Sequence, residues 1–281
     1  MLSSSYAAMP NPDPTPRLTD TTALARNRAR ADALFLQEIA QDEIEDRLEL
    51  VNKTFQVPAI VAAFPELWRA RRTDAVVVAE TDILPLEVAG HDLVIHSLGL
   101  HWANDPVGQL IQCRRALKPD GMLLAVALGG QTLQELRSVL AEAEVAVTGG
   151  LSPRVAPMGE VRDLGALLQR AGLALPVADT VVLTVRYQTM WHLMRDLRAM
   201  GEGNALQTRL RYPTRRAILE TAAKLYADNF AHPDGGIAAT FELIVLTGWA
   251  PDDSQPKPLP PGSAQARLAD ALRTGETSLS D

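Results

Sequence analysis

Short apolar runs alternate with helical segments through most of this chain, and this alternation constrains its fold more than any other feature. Several runs are apolar at consecutive positions rather than at every second one, as is typical of strands covered on both faces. The predicted strands are residues 75–78, 93–98, 122–128, 181–185 and 241–246. The sequence therefore predicts an α/β fold with a Rossmann-like, doubly wound, mostly parallel sheet.

A long leading helix is predicted to begin after Thr21 or Thr22 and to run toward Val51. Ile44, Leu48 and Val51 recur at helical spacing and would form its buried face. We interpret the opposite, polar face as solvated rather than as a binding strip. The basic residues of this polar face are Arg26, Arg28 and Arg30.

Capping signals in the sequence predict where two later helices begin. Asp105 followed by Pro106 is typical of an N-cap and first helical position, and the turn residues 118–121 would end that helix. Thr132 and Glu135 have the spacing of a capping box, which predicts a helix to about residue 147.

The chain divides by composition into a body and two tails. Residues 1–20 and 251–281 are rich in proline and polar residues, so the first is predicted to be a disordered tail and the second a Pro-rich tail. Residues 21–250 form the predicted domain. An all-helical stretch of about 189–232 lies between two late strands, where it would serve as a lid or substrate-binding insertion.

Charge and cysteine content narrow the class of protein. The formal charge of −7 opposes nucleic-acid binding, although the insertion holds a short basic cluster. That cluster is Arg209, Arg211, Arg215 and Arg216. The only cysteine, Cys113, excludes an internal disulfide and a Cys-based zinc site, and no targeting or membrane-spanning segment is recognisable. These features predict a cytoplasmic protein with no integral membrane segment.

Candidate site residues follow the predicted strands, because an open parallel sheet binds ligands beyond the carboxyl ends of its strands. Glu80 and Asp82 follow the first predicted strand, and residues 96–105 follow the second. Gly129 and Gly130 follow the third, where they either form the loop before a helix or let the backbone approach a ligand closely.

The segment 96–105 is the richest of these. His96 and His101 are five residues apart, which is not the spacing of a helical metal-binding pair, so no metal site is predicted. Each histidine either lines a polar pocket or packs in the core. Trp102 could stack on a ligand or fill the core.

Several blocks of sequence resemble class I S-adenosylmethionine-dependent methyltransferases of the type 11 group. The blocks are HDLVIHSLGLHWANDP, RALKPDGMLLAVALGG, GGLSPRVAPMGEVRDLGALLQRAGL, MWHLMRDLRAMGEGNA and DGGIAATFELIVLTGW. Within that group they are similar to the mitochondrial complex I assembly factors of methyltransferase fold, a family implicated in arginine hydroxylation, and to their bacterial relatives. The resemblance covers roughly residues 80–250 and implies S-adenosylmethionine as the cofactor. It also implies a respiratory-complex subunit or other protein as the substrate.

The resemblance also implies roles for individual residues. Glu80 or Asp82 matches the acidic residue that contacts adenine. The residues that match the segment facing the methyl donor and substrate are His96, Ser97, His101 and Trp102, with the two histidines as the catalytic candidates. Gly129 and Gly130 would lie on the rim.

One departure from the family pattern leaves two functions open. The family's first strand leads into a Gly-rich loop and its second strand ends in a ribose-binding acid, but no glycine lies between Val51 and Glu80. Residues 55–79 are also shorter than the roughly 30 residues of a βαβ unit, so we expect no complete unit there. Loss of two charge-assisted hydrogen bonds would weaken cofactor binding by about two to four orders of magnitude. The chain is therefore either an S-adenosylmethionine-dependent modifying enzyme or a non-catalytic assembly factor of the same fold.

Overall fold

Within residues 17–256, which the computed structural model describes, the chain forms six strands and eight helices. The strands are β1 Pro58–Ala62, β2 Val76–Ala79, β3 His91–Ser97, β4 Leu117–Leu128, β5 Ala174–Tyr187 and β6 Ile237–Trp249. The helices are α1 Thr21–Arg28, α2 Phe35–Leu50, α3 Pro65–Arg71, α4 Pro106–Ala116, α5 Gln134–Thr148, α6 Val161–Arg170, α7 Met190–Ala199 and α8 Arg216–Asn229. All these elements lie in one compact unit that ends at Pro251.

The strands form one sheet in the order β2-β1-β3-β4-β6-β5. The four N-terminal strands pair in parallel, whereas β6 runs antiparallel to both β4 and β5. This arrangement confirms the predicted doubly wound, mostly parallel α/β fold. The carboxyl ends of β1, β2 and β3 consequently meet at one edge of the sheet, where their following segments can form a common site.

Helices cover both faces of the sheet, which explains the consecutive apolar residues in the strands. Side chains of α2, α5, α7 and α8 pack on one face, and those of α4 and α6 on the other. Strand residues on the first face include Ile60, Ile95, Leu124 and Phe241; those on the second include Val61, Val94, Leu123 and Leu246. Alternate residues of each strand therefore belong to two different core clusters.

The predicted long leading helix is wrong in two respects. It is two helices, α1 and α2, separated by residues 29–34. Its N-cap is Asp20 rather than Thr21 or Thr22, because the Asp20 carboxylate accepts a hydrogen bond from the Ala23 N–H at 3.0 Å. The break turns α1 away from the line of α2 and allows it to contact the sheet edge.

The expectation that residues 55–79 are too short for a complete βαβ unit is wrong. The segment contains β1, α3 and β2 in order, each close to its minimum length. Strand β1 was not predicted at all, because its five apolar residues end directly in Ala63 and Phe64 without a turn signal. Pro65 then begins α3, where its missing N–H costs no helical hydrogen bond.

The N-cap of α4 is confirmed, and the turn after it is different from the prediction. The Asp105 carboxylate accepts from the Gly108 N–H at 2.8 Å. Strand β4 begins immediately after the helix at Leu117 and includes the predicted turn, with Asp120 at φ +58°. Pairing with β3 pulls these residues into the sheet through an irregularity in register.

The predicted capping box does not cap α5. Leu133, at φ +55°, holds the N-cap position and makes no side-chain cap. Thr132 instead exchanges hydrogen bonds with the backbone of Glu242, and the buried Glu135 accepts from the Thr240 hydroxyl at 2.5 Å. Both side chains therefore connect α5 to β6, since a buried carboxylate gains more from these partners than from a cap.

The segment between β5 and β6 is only partly helical. Helices α7 and α8 are separated by residues 200–215, which form loops and turns. Of the predicted tails, residues 1–16 and 257–281 lie outside the described residues. Thr19 forms an isolated antiparallel bridge with Leu206 of the insertion.

Candidate functional site

A cavity of about 410 Å³ opens at the carboxyl ends of β1, β2 and β3, beneath α1. We call it the sheet-edge cavity. Its lining residues include Thr21, Leu24, Arg28, Ala63, Glu80, Asp82, His96, Gly99, Trp102, Asn104 and Gln109. Four of the residues predicted from the sequence, namely Glu80, Asp82, His96 and Trp102, are thus brought together in one cavity.

Arg28 of α1 reaches across this cavity to Glu80. Its Nη1 lies 2.5 Å from Glu80 Oε1, and the two side chains are only 11% and 16% exposed. The interpretation of Arg28 as part of a solvated face is therefore wrong, because the helix break brings it over the sheet. Arg28 Nε, Arg28 Nη2 and Glu80 Oε2 are all buried without a hydrogen-bond partner in the described part of the chain.

His96 is buried in the wall of the sheet-edge cavity. Its Nε2 lies 3.4 Å from Gln109 Oε1, and its Nδ1 has no partner within residues 17–256. Burial lowers the pKa of His96, although the nearby Glu80 charge opposes that effect, so the ring is neutral near pH 7. A neutral ring nitrogen of this kind can accept a hydrogen bond or a proton.

Gly99 provides the space in which this cluster fits. A Cβ atom at Gly99 would collide with the Glu80 carboxylate and would lie 2.9 Å from His96 Cε1. The glycine is needed here for close approach rather than for an unusual backbone angle, since its φ is −120°. The absence of a side chain at Gly99, in the turn after β3, thus leaves room for the Glu80 carboxylate and the His96 ring.

Trp102 belongs to two cavities at once. Its Nε1 donates to Glu202 Oε2 at 2.6 Å, and His101 Nε2 lies 3.5 Å from the same oxygen. Burial of Glu202 raises its pKa, but the hydrogen bonds from His101 and Trp102 and the charge of Arg28 outweigh it and lower the pKa overall. Glu202 is therefore an ionised carboxylate in a wall that separates two chambers.

The second chamber, which we call the helical cavity, has a volume of about 400 Å³. Apolar side chains form most of its wall and come from α2, α5, α7, α8 and the segment 152–158. Examples are Leu36, Leu136, Leu140, Met158, Met194, Leu197, Leu219 and Phe241. Sequence reasoning anticipated a substrate-binding insertion but did not identify these residues, whose apolar spacing is indistinguishable from that of a core.

Two arginines of the helical cavity are held by other side chains. Arg154 donates to both carboxylate oxygens of Glu144, at 2.9 and 2.8 Å, and Arg209 lies 2.8 Å from Asp20. The Arg154 guanidinium holds the pKa of Glu144 below its usual value, against the effect of burial. These pairs fix the loops around the cavity.

The remaining predicted site residues lie outside the linings of both cavities. Ser97 is fully buried at the end of β3, and His101 contacts the wall between the two cavities through Glu202 and through the ring of Trp102, whose centroid lies 5.9 Å from that of His101. A Cβ at Gly129 would meet the Glu242 carboxylate, and one at Gly130 would meet Glu160. The two glycines therefore make room for protein carboxylates.

The basic cluster of the insertion is largely engaged in ion pairs. Arg209 and Arg211 lie 2.8 and 3.2 Å from Asp20, and Arg216 lies 2.7 Å from Glu220. Their charges contribute to joining the insertion to the start of α1 and to the surface of α8. These ion pairs give the basic cluster a structural role.

Three further features of the described residues bear on function. Among residues 17–256, no group of three or more His, Cys, Asp or Glu side chains is placed to hold a metal ion. Cys113 is buried, and burial raises the pKa of its thiol to about 12, so it is not a thiolate nucleophile near neutral pH. None of the helices in this part of the chain has the length and apolar character needed to span a bilayer.

Comparison with known proteins identifies close relatives. The methyltransferase domain family matches residues 20–125. The mitochondrial arginine-hydroxylase NDUFAF5 of Danio rerio is 37% identical over 243 residues, which are 86% of this chain and 69% of that protein. The malonyl-[acyl-carrier protein] O-methyltransferase of a Methylovorus strain is 34% identical over 62% of this chain and 56% of its own length. Among solved structures, the YcgJ protein of Bacillus subtilis covers 83% of this chain and 99% of its own, with 13% identity and a TM-score of 0.44.

These relatives correct the predicted location. The arginine-hydroxylases are mitochondrial proteins, so the prediction of a cytoplasmic protein is wrong. The features behind that prediction were a single cysteine and no recognisable targeting segment. A lone thiol indicates only a reducing environment and does not distinguish one such compartment from another.

The sheet order, the cavity at the ends of β1, β2 and β3, and the similarity along 86% of the chain agree with one another. The resemblance recognised in the sequence is thereby confirmed. The chain belongs to the arginine-hydroxylase NDUFAF5 family of methyltransferase-domain proteins.

Proposed function

We propose that this protein is an S-adenosylmethionine-dependent enzyme that modifies a protein side chain. The cofactor would occupy the sheet-edge cavity, and the substrate side chain would enter the helical cavity. The observation that carries this proposal is that Trp102 lines both cavities, so the two chambers adjoin at one side chain and ligands in them would lie next to each other. An enzyme that joins two reactants needs such adjacent sites.

The residues of the sheet-edge cavity fit an adenosyl ligand in polarity and size. Its volume of about 410 Å³ suits a ligand of this class, and Glu80 Oε2, Arg28 Nε and His96 Nδ1 are buried polar atoms that lack partners among residues 17–256. Glu80 and Asp82 would accept hydrogen bonds from ribose hydroxyls and the adenine amino group, while Trp102 offers an aromatic surface. When bound, S-adenosylmethionine supplies a methyl group on a positively charged sulfur, and the neutral His96 ring would not repel that charge.

The unsatisfied atoms also favour the enzyme over the non-catalytic alternative. Each buried polar group without a partner costs about 1–3 kcal/mol, so a pure scaffold would gain stability by replacing Arg28 and Glu80 with apolar residues. Groups that are left unpaired in a cavity are instead expected where a ligand completes them.

The helical cavity would receive the substrate side chain. Its apolar walls suit the aliphatic stem of a long residue, and the ionised Glu202 offers a charge opposite to that of a guanidinium. Arginine is the substrate class indicated by the name of the mitochondrial arginine-hydroxylase relatives. The partner would then be a protein such as a subunit of a respiratory complex, presented to the face built by α7 and α8.

Calorimetric titration of the purified protein with S-adenosylmethionine and S-adenosylhomocysteine tests the cofactor half of the proposal. We expect saturable binding in the micromolar range. No heat at millimolar ligand would overturn it and would support the scaffold.

Mass spectrometry of an arginine-containing peptide from a complex I iron–sulfur subunit tests the substrate half. With S-adenosylmethionine, O₂ and a reductant supplied, the expected product gains either one methyl group or one oxygen atom on arginine. Met194→Trp, which fills the helical cavity, should abolish the product without changing cofactor affinity. Met194→Leu conserves volume and is the matched control; equal loss of cofactor binding in the tryptophan variant would contradict the assignment of the two chambers.

A further inference from the structure

We propose that Arg28 binds the carboxylate at the amino-acid end of the adenosyl ligand. This inference rests on the proposed function, because it names how the same cavity recognises its cofactor. Arg28 would do with a side chain what the family's Gly-rich loop does with backbone N–H groups.

The free edge of the Arg28 guanidinium is the one that suits a carboxylate. Nη1 is used by Glu80, whereas Nε and Nη2 are buried and have no partner in the described part of the chain. Nε and Nη2 form one side of the planar fork, from which two parallel N–H···O bonds can reach the two oxygens of a carboxylate. Arg28 is also one of the residues that line the sheet-edge cavity.

Glu80, the other member of the ion pair, uses only one of its two carboxylate oxygens in this contact. Glu80 Oε1 accepts from Arg28, while Oε2 is buried without a partner within residues 17–256. A carboxylate oxygen in this state requires a donor, such as a hydroxyl group. One molecule that brings both a carboxylate for Arg28 and hydroxyl groups for Glu80 belongs to the class of adenosyl amino acids.

The loop after β1 explains why a side chain is needed for this task. Ala63 and Phe64 connect β1 directly to Pro65, the first residue of α3. Both connecting residues carry a Cβ, and Pro65 has no N–H, so this loop does not provide the exposed row of amide donors that a Gly-rich loop offers. A charge-assisted donor from α1 compensates for that absence.

The position of Arg28 is fixed by contacts of the insertion with both ends of α1. Asn27 Nδ2 donates to the Gly203 carbonyl at 3.0 Å, and Asp20 at the start of the helix pairs with Arg209. Gly201, at φ +78°, lets the insertion approach closely, because a Cβ there would lie 3.0 Å from Arg28 Cα. The guanidinium is thus held over the cavity before any ligand arrives, which reduces the entropy lost on binding.

The test is calorimetry with two ligands that differ only at the amino-acid end. S-adenosylhomocysteine carries the carboxylate, and 5′-methylthioadenosine keeps the ribose and adenine but lacks it. Arg28→Met should weaken S-adenosylhomocysteine about 10- to 100-fold, as expected for loss of a charge-assisted hydrogen bond, and leave methylthioadenosine within about threefold. Arg26→Met, at an exposed position of the same helix, is the matched control and should change neither affinity.

A second variant guards against misfolding, because Arg28→Met leaves Glu80 buried without its ion-pair partner. Arg28→Lys keeps a positive charge for Glu80 but loses the two-bond fork. It should therefore fold normally and still weaken the binding of S-adenosylhomocysteine more than that of methylthioadenosine. Glu80→Gln should weaken both ligands, since both carry ribose hydroxyls. Equal weakening of both ligands in the two Arg28 variants would overturn the inference, whereas failure of the wild-type protein to bind either ligand would overturn the proposed function instead.

Discussion

The two cavities that meet at Trp102 differ in how far their charged side chains are satisfied by the protein. In the helical cavity, Arg154 and Arg209 each have a carboxylate partner. In the sheet-edge cavity, Arg28 and Glu80 pair with each other and still leave three buried atoms without a partner in the described part of the chain. The protein itself therefore satisfies these two arginines of the helical cavity, whereas the polar atoms of the sheet-edge cavity are left for the ligand that we propose.

Glu202→Ala should have the largest effect, because it damages the wall that the two cavities share. Trp102 Nε1 and His101 Nε2 would both lose their acceptor while remaining buried. We expect the free energy of unfolding to fall by about 2–4 kcal/mol in urea denaturation. Glu202→Gln keeps an oxygen for Trp102 and should lose less; equal losses in the two variants would show that the charge, and not the hydrogen bond to Trp102, maintains the wall.

Gly99→Ala should affect the sheet-edge cavity alone. The added Cβ would displace the Glu80 carboxylate, and we expect S-adenosylhomocysteine to bind about 10- to 100-fold more weakly by calorimetry. Gly150→Ala is the matched control, because its nearest neighbour, Thr148 Oγ1, would be 3.8 Å away. Wild-type affinity in Gly99→Ala would mean that Glu80 has no contact with the ligand.

The pH dependence of stability should report the burial of His96. Its pKa is lower in the folded protein than the ordinary value of 6.5, so below pH 6.5 the unfolded chain binds more protons and stability falls with falling pH. The loss can reach about 1.4 kcal/mol per pH unit, and it ends below the folded-state pKa. Glu202 contributes a loss of the same sign only at lower pH, below its ordinary value of 4.5, because its pKa is also lowered.

Urea denaturation at pH 7.5 and 5.5 therefore isolates the histidine effect. His96→Gln should flatten the difference between the two pH values. An unaltered pH difference in His96→Gln would show that His96 titrates normally and that the sheet-edge cavity is open to water.

Arg216→Ala should have the smallest effect. Its ion pair with Glu220 on α8 is exposed, with the two side chains 89% and 55% accessible. We expect a change in the free energy of unfolding within about 0.5 kcal/mol. A larger loss would show that α8 depends on surface charge and would weaken the contrast with the buried pair of Arg28 and Glu80.

Much of the fold could be predicted because its signals are local. The apolar runs of β3, β4 and β6 have to be buried, which predicts strands covered on both faces. The start of α4 is predicted by two adjacent residues, Asp105 and Pro106. Strand β1 was missed because it has no flanking turn signal, and Thr132 and Glu135 were misassigned because their β6 partners are more than 100 residues away in the chain.

The residues of the candidate site likewise divide into those that a local sequence signal predicts and those that only distant contacts bring to the site. Glu80, His96 and Trp102 could be predicted because they lie at or shortly after the carboxyl ends of strands, and the carboxyl ends of parallel strands must share an edge. Arg28 and Glu202 could not be predicted, since one lies 52 residues from Glu80 and the other 100 residues from Trp102. On its helix, Arg28 has the spacing of any solvated arginine.

The sequence by itself thus determined the class of fold, the edge of the sheet that carries the site, and the family. Only the tertiary structure decided which charges meet there, how the two cavities share a wall, and which polar atoms are left for a ligand. The physical reason is that helix and strand formation depends on neighbours along the chain. The burial and pairing of a charge depend instead on the break between α1 and α2 and on an insertion far away in sequence.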